Sequence, residues 1–163
     1  MALPVVPKII EEELSGASDY FQRKERCIYC DILREELSAK KRIVVETAHF
    51  LAFTPFASRY PFETWIMPKL HSPDFHSIDP TEMSDLSLII QSLFRRYYRL
   101  FSNPAYGLTL HTSPVQGKHQ PEYHWHIETR LRIGLREGFE WGTGFFVNPT
   151  PPEDAAAWLR EAE

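Results

Sequence analysis

Tyr123-His124-Trp125-His126-Ile127-Glu128-Thr129-Arg130 alternates strictly between two kinds of residue. His124, His126, Glu128 and Arg130 fall on one side of an extended chain; Tyr123, Trp125, Ile127, Thr129 and Leu131 fall on the other. Period-two alternation predicts a half-buried strand. The polar side is the unusual part. Two imidazoles, a carboxylate and a guanidinium stand in one row, about 6.5–7 Å apart per step of two residues. Such a row can hold a metal, a phosphate or both. An ordinary solvated strand face would carry mostly Lys, Thr, Ser and Glu.

Tyr106–Thr112 reads as a second strand, joined to Glu122–Leu131 by the polar loop Ser113–Pro121. With that loop centred on Gln116-Gly117-Lys118, His111 lies opposite His124, and His111, His124 and His126 are expected to converge. Further upstream, Asp79-Pro80-Thr81-Glu82 is a helix start, with Asp79 as cap and Pro80 in the first helical position. That helix is expected to run to about Phe101, with Arg95, Arg96 and Arg99 on a solvated face. Ile9–Lys24 has Ile9, Ile10, Leu14, Ala17 and Phe21 at helical spacing, and Cys30–Ala39 suits a shorter helix. Arg42–Glu46 and His49–Phe53 read as strands linked by Thr47-Ala48, and Phe62–Met67 as a strand closed by Pro68.

Gly134, Gly138, Gly142 and Gly144 bracket Phe139-Glu140-Trp141. Either a backbone approaches a ligand closely there, or the region is a plain turn. A last helix is expected from Pro149 through Ala156 and Leu159. Residues 1–7 read as a loose arm and 8–163 as a single domain. The order of elements predicts an α+β fold with a mainly antiparallel sheet.

A chain of 163 residues can bury a proper core, and its 25% charged and 43% hydrophobic content is ordinary for a globular protein. A net charge of −4 without a sustained basic run gives no support to a nucleic-acid surface. No stretch approaches a membrane span, and the N-terminus lacks the sections of a signal peptide. A cytoplasmic protein is the expectation.

The two cysteines form Cys27-Ile28-Tyr29-Cys30. This spacing suggests a metal or a redox pair rather than a structural staple; two reduced thiols without a role are the plain alternative. The charged run Gln22–Arg26 stands where a thioredoxin-like site would need a strand. Zinc would need two further ligands. His71 and His76, beyond Pro68-Lys69, could each complete a Cys₂His₂ set. On the strand, an imidazole can ligate metal or attack phosphorus. A phosphohistidine intermediate divides nucleotidyl transfer into two displacements, and Lys69, Lys118 and Arg130 are candidates to neutralise the phosphate. His49 and His119 look incidental.

These residues resemble a family. Cys-Ile-Tyr-Cys-Asp-Ile-Leu at 27–33, Ile66-Met67-Pro68-Lys69-Leu70-His71, a long helix and a His-x-His strand look like histidine-triad (HIT) proteins. The nearer resemblance, over residues 8–162, is to the C-terminal half of galactose-1-phosphate uridylyltransferases. Pro61-Phe62-Glu63-Thr64-Trp65, Leu110-His111-Thr112-Ser113-Pro114, Tyr123–Glu128 and Gly138-Phe139-Glu140-Trp141-Gly142-Thr143-Gly144 carry it. It implies a HIT-like fold, a five-stranded antiparallel sheet with packed helices. It also implies chemistry on a nucleotide or nucleotide-sugar and a sugar phosphate, of uridine or adenosine type.

For the metal, the resemblance implies zinc on Cys27, Cys30, His71 and His124. A competing set, matching the transferase C-terminal half, is His111, His124 and His126, where iron is possible. Both sets claim His124, and the two cysteines favour zinc. His126 falls at the position of the attacking histidine, between His124 and Glu128. Candidate substrate contacts are Lys69, His111, Arg130, Phe139, Trp141 and Gly142.

One departure stands out. Full-size transferases carry a catalytic His-Pro-His-x-Gln motif in their N-terminal half, and this sequence has none. Glu128 in the third place would also put negative charge beside a phosphate, unless protonated or metal-bound. The leading expectation is a nucleotidyltransferase or nucleoside-phosphate hydrolase acting through His126. The alternative is a non-catalytic metal-binding half-domain that supports a homodimer or an N-terminal partner half. A third reading makes His111, His124 and His126 facial ligands of a metal with an open water position.

Overall fold

Alternation along the strands divides the core into two apolar sets, one on each face of a single sheet. The computed structural model describes residues 6–114, 120–133 and 138–163. Its elements are α1 (Lys8–Lys24), α2 (Ile28–Ala39), β1 (Ile43–Glu46), β2 (Phe50–Phe53), β3 (Thr64–Pro68), a 3₁₀ turn at Phe75–Ser77, α3 (Pro80–Phe101), β4 (Tyr106–His111), β5 (His126–Leu131), α4 (Gly138–Thr143) and α5 (Pro152–Glu161). The five strands pair antiparallel in the order β1-β2-β3-β5-β4. This is the α+β architecture expected from the sequence.

On one face, Phe50, Ala52, Ile66, Ile127 and Leu131 meet Leu86, Ile89 and Leu93 of α3 and Ala156 and Leu159 of α5. On the other, Leu51, Phe53 and Met67 meet Leu14 and Ala17 of α1 and Tyr29 and Leu33 of α2. The polar row of β5 therefore does not face water. His126 is fully buried and Glu128 is 7% exposed, because α1 and α2 cover that face. The half-buried strand predicted from alternation is buried on both faces except at Arg130, which stays partly exposed.

α3 begins as predicted. The Asp79 carboxylate accepts from the Thr81 and Glu82 amides at 2.7 and 2.8 Å, and Glu82 accepts from the Asp79 amide at 3.1 Å. The expected solvated arginine face is corrected at Arg96, which is buried. It lies three residues beyond Leu93 on the inward stripe. Its guanidinium donates to the Leu159 and Arg160 carbonyls of α5 at 3.2 and 3.1 Å. In α1, Ile9 and Phe21 fall outside the buried stripe.

β5 is shorter than the predicted Glu122–Leu131. The Tyr123 amide donates to Gln120 and the Trp125 amide to Ser72. These bonds draw residues 121–125 away from β4. Ladder pairing therefore starts at His126, and the register sets His111 opposite His126 rather than His124. The glycine-rich stretch forms α4 and ends at Gly144, whose φ of +76° suits a glycine after a helix. Residues 1–5 of the expected arm, Gln116–Lys118, His119 and Gly134 lie outside the described residues. Among those described, no helix is long and apolar enough to cross a membrane.

Candidate functional site

Two clusters of ligand atoms flank the start of β5. The first joins Cys27, at the cap of α2, and Cys30, in its first turn, to His71 beyond β3 and His124 before β5. Cys30 Sγ lies 3.3 Å from His71 Nδ1 and 3.5 Å from His124 Nδ1. The far ring nitrogens face carbonyls: His71 Nε2 is 2.7 Å from Pro121 O, and His124 Nε2 is 3.0 Å from Pro68 O. A carbonyl only accepts, so both Nε2 atoms carry a proton, and both Nδ1 atoms face the Cys30 sulfur.

This set fits zinc. Tetrahedral bonds of about 2.3 Å to sulfur and 2.0 Å to nitrogen place S and N about 3.5 Å apart. The outer hydrogen bonds fix the rings as metal-binding histidines require. The neighbouring Cys30 thiol holds the Cys27 thiol below the usual thiol range. Cys27 and burial push Cys30 upward, because a second thiolate is unfavourable beside the first. A divalent cation removes that penalty. His76, the other candidate, stands in the 3₁₀ turn and is not in the cluster.

The second cluster is Glu13, His111 and His126. The β4–β5 register stacks the His111 and His126 rings 4.8 Å apart at 13°. His126 Nδ1 donates to the His124 carbonyl at 3.1 Å. Its Nε2 is buried without a hydrogen-bond partner, 3.7 Å from Glu13 Oε1. Trp65 stacks on the ring at 5.0 Å. Burial pushes the His126 pKa down to about 4 against the pull of Glu13, which leaves a neutral imidazole with its lone pair on Nε2.

Glu13 accepts from the Tyr29 and Tyr123 hydroxyls on Oε1 and faces His111 Nδ1 at 2.9 Å on Oε2. Burial would raise its pKa, but the hydrogen bond and charge of His111, together with the Tyr123 bond, hold it at about 2. His111 is shifted upward: burial opposes its charge, and Glu13 and Glu128 favour it more strongly.

Glu128 is raised by burial. Arg59 Nη2 binds it at 3.0 Å, and His111 Nε2 lies at 3.7 Å. The charge that looked awkward in the sequence has a guanidinium partner. The loop carrying Arg59 is fixed by buried Glu63, whose Oε2 accepts from the Arg59 and Tyr60 amides at 2.7 and 3.2 Å.

The predicted convergence of His111, His124 and His126 is thus corrected. The chain turns off the sheet before His126, so His124 joins the cysteines and His126 joins His111. The competition for His124 disappears, because Glu13 takes its place in the second set. Sequence reasoning missed Glu13, Arg59 and Tyr29. A signal for Glu13 existed: it is a carboxylate on the apolar stripe of α1, between Ile10 and Ala17. Arg59 left none, because loop geometry aims it.

Among the proposed substrate contacts, Arg130, Phe139 and Trp141 line a cavity of about 860 Å³ at the far end of β5. Gly142 lies in α4 beside it. Lys69 is turned elsewhere: its ammonium binds Glu46 at 2.8 Å and the Thr47 carbonyl, at the β1–β2 turn. Lys118 lies outside the described residues.

Comparison with known proteins gives the family of the chain. Residues 13–137 match the family described as galactose-1-phosphate uridyl transferase, C-terminal domain. An ADP-glucose phosphorylase of Arabidopsis thaliana is 37% identical across 99% of this chain and 45% of its own length. A crystal structure of an ADP-glucose phosphorylase from Arabidopsis thaliana with bound ADP-glucose superposes with a TM-score of 0.88, covering 99% of this chain and 51% of that one at 36% identity. A galactose-1-phosphate uridylyltransferase of Thermotoga maritima is 31% identical over 99% of this chain and 53% of its own length. A zinc-bound histidine triad protein of Mycobacterium smegmatis, 20% identical with a TM-score of 0.57 over 83% of this chain and 91% of that one, shares the fold. The chain spans about half the length of the longer relatives it matches. Its fold is HIT-like, and it belongs to the galactose-1-phosphate uridyl transferase family as a C-terminal domain.

Proposed function

We propose that this chain serves nucleotidyl transfer between a nucleotide sugar and a sugar phosphate, with His126 as the attacking group. The observation that carries the reading is the state of the His126 ring: neutral, with Nδ1–H held by the His124 carbonyl and an unpartnered Nε2. In the first displacement Nε2 bonds to the α-phosphorus. The bond from phosphorus to the bridging oxygen breaks, and its electron pair leaves with the sugar phosphate. The His124 carbonyl, still accepting from Nδ1, steadies the positive ring. In the second displacement an oxygen of the incoming phosphate takes the nucleotidyl group and frees Nε2. Glu13 occupies the approach to Nε2 in this conformation, so α1 must yield for the phosphate to enter.

Cys27, Cys30, His71 and His124 would hold zinc, which when bound clamps α2 to the ends of β3 and β5. A homodimer or an N-terminal partner half is part of the same proposal, in keeping with the half-length match. So is a cytoplasmic setting, because thiols that hold zinc suit a reducing compartment.

Intact mass tests the reading after brief incubation with ADP-glucose, UDP-glucose or UDP-galactose. An added nucleotidyl mass, absent in His126→Ala, is expected. No adduct with any of them would remove His126 as nucleophile.

One observation favours a second reading of that centre. An ionised carboxylate faces a lone pair at 3.7 Å, a repulsion that a bound cation would relieve. Glu13, His111 and His126 would then hold a second metal, iron among the candidates, and this half would support its partner. Metal analysis separates the two: one zinc per chain fits the first reading, and a second metal lost in Glu13→Gln fits the other.

A further inference from the structure

α1 lies over the second cluster and carries Glu13 into it. Its 17 residues place Leu14 and Ala17 in the core, whereas α3 places Leu86, Ile89, Leu93, Arg96 and Tyr97 there. Ile9 and Phe21 stay 57% and 40% exposed, so docking this helix takes little apolar area from water. Polar bonds supply much of the hold. Glu13 accepts from the Tyr29 and Tyr123 hydroxyls and faces His111 Nδ1 at 2.9 Å. Seven residues on, about 10 Å along the helix, the Tyr20 hydroxyl donates to Asp31 of α2 at 2.8 Å.

The helix ends on a pivot. Glu25 closes it in the left-handed region, with φ of +55°, and its amide donates to the Phe21 carbonyl at 2.7 Å. Beyond it, Arg26 pairs with Asp31 at 2.6 Å and Cys27 opens α2. An element-terminal residue of this kind is where a hinge absorbs its backbone change. The docked helix shuts the centre: Glu13 Oε1 stands 3.7 Å from His126 Nε2, and His126 is fully buried. A phosphate and that carboxylate are both anions, and they repel too strongly at such a separation to share the approach.

We infer that α1 is a self-inhibiting lid, latched by Glu13 and by the Tyr20–Asp31 bond and pivoting at Glu25, and that His126 Nε2 is reachable only while the lid is open. The inference rests on the reading of His126 as the attacking group and adds a closed resting state to it. Lifted from α2 and the sheet, a helix of 17 residues is marginal by itself, so opening also frees its amides.

Two measurements on the whole chain test it together: amide hydrogen exchange, and carbethoxylation of His126 by diethyl pyrocarbonate, located by peptide mass spectrometry. The α1 amides should exchange as one unit, with an opening constant about a hundredfold or more above that of the β3 amides. His126 labelling should report the same constant as α1. Tyr20→Phe leaves Glu13 and His126 in place, removes one hydrogen bond of the closed state and should raise both readouts by about fivefold. Glu13→Ala removes the main latch and should raise them further. Labelling of His126 at the opening constant of the β3 amides, which is exposure by global unfolding, would overturn the lid. So would unchanged α1 exchange and unchanged labelling in Tyr20→Phe. Neither measurement needs nucleotidyl transfer. An opening lid without a nucleotidyl adduct would support the lid and remove the nucleophile, and an adduct without α1 opening would do the reverse.

Discussion

Replacing Arg59 by methionine isolates one charge at the candidate centre. The methionine stem keeps most of the packing against Phe146, over whose ring the guanidinium sits at 5.9 Å, and removes the partner of Glu128. The Glu128 side chain is 8% exposed and that of Arg59 32%. Removing one partner of a fully buried pair costs about 3–5 kcal/mol. Water reaching the arginine side lowers the expected cost here to about 2 kcal/mol. In a domain of this size, that corresponds to a fall in Tm of about 4–8 °C.

The pH dependence has a definite sign. Burial raises the Glu128 pKa in the folded chain, so the folded state holds its proton to higher pH than the unfolded state. Glu128 therefore adds no penalty below the ordinary carboxylate pKa. Its cost grows as pH rises toward the folded value and is full above it. Arg59→Met raises the folded pKa further and enlarges that cost. Thermal melts of wild type and Arg59→Met at pH 7 and pH 4.5 are the assay. The gap should be widest at pH 7 and narrow at pH 4.5, and Glu128→Gln in the Arg59→Met background should recover most of it. A gap independent of pH, or no recovery with glutamine, would refute the assignment of Glu128 as a buried charge balanced by Arg59.

Three further outcomes follow from the same geometry. Cys27→Ser with Cys30→Ser should lose bound zinc and lower Tm, read by metal analysis and melting; full metal retention would sink the Cys₂His₂ assignment. Glu13, held at about 2 in the folded chain, contributes stability that is present above the usual carboxylate pKa and lost as pH falls toward 2. Acid titration of Glu13→Gln, followed by circular dichroism, should therefore show a shallower loss of stability over that window than wild type. Asp79→Ala removes the one side-chain oxygen that accepts from both the Thr81 and Glu82 amides at the α3 cap and should cost about 1 kcal/mol, a Tm fall of about 2–4 °C; an unchanged Tm would mean the cap is replaced by water.

Much of the fold is legible because each element carries its own local signal. The Asp79-Pro80 start, the alternation along β5 and the Pro68 stop of β3 are decided by caps, periodicity and ring geometry within a few residues. The site is legible only in part. The identities of Cys27, Cys30, His71 and His124 follow from motif resemblance, and their donor atoms meet. The fate of the two strand histidines does not follow from alternation, because two amides, those of Tyr123 and Trp125, pair outside the sheet. A two-residue shift in the β4–β5 register moves His124 from one centre to the other. Arg96 shows the same limit: a charged residue reads as solvated until α5 presents two carbonyls to it.

The two centres are joined by a residue inside the Cys-x-x-Cys motif. Tyr29 lies between the cysteines, its ring 5.0 Å from that of His126, and its hydroxyl donates to Glu13. His124, a thiol neighbour through Nδ1, supplies through its carbonyl the acceptor that sets the His126 tautomer. The helix turn that presents Cys27 and Cys30 therefore also fixes the carboxylate and the imidazole of the second cluster. Closing four ligands around a cation would restrain that turn, the His124 backbone and the Tyr29 ring together. A ring stacked between Trp65 and His111, with one nitrogen pinned to a carbonyl, needs such a rigid frame to keep its other nitrogen aimed at one point. With the cation bound, the proposed Cys₂His₂ set would act on the proposed chemistry through geometry, by holding still the residues that aim His126.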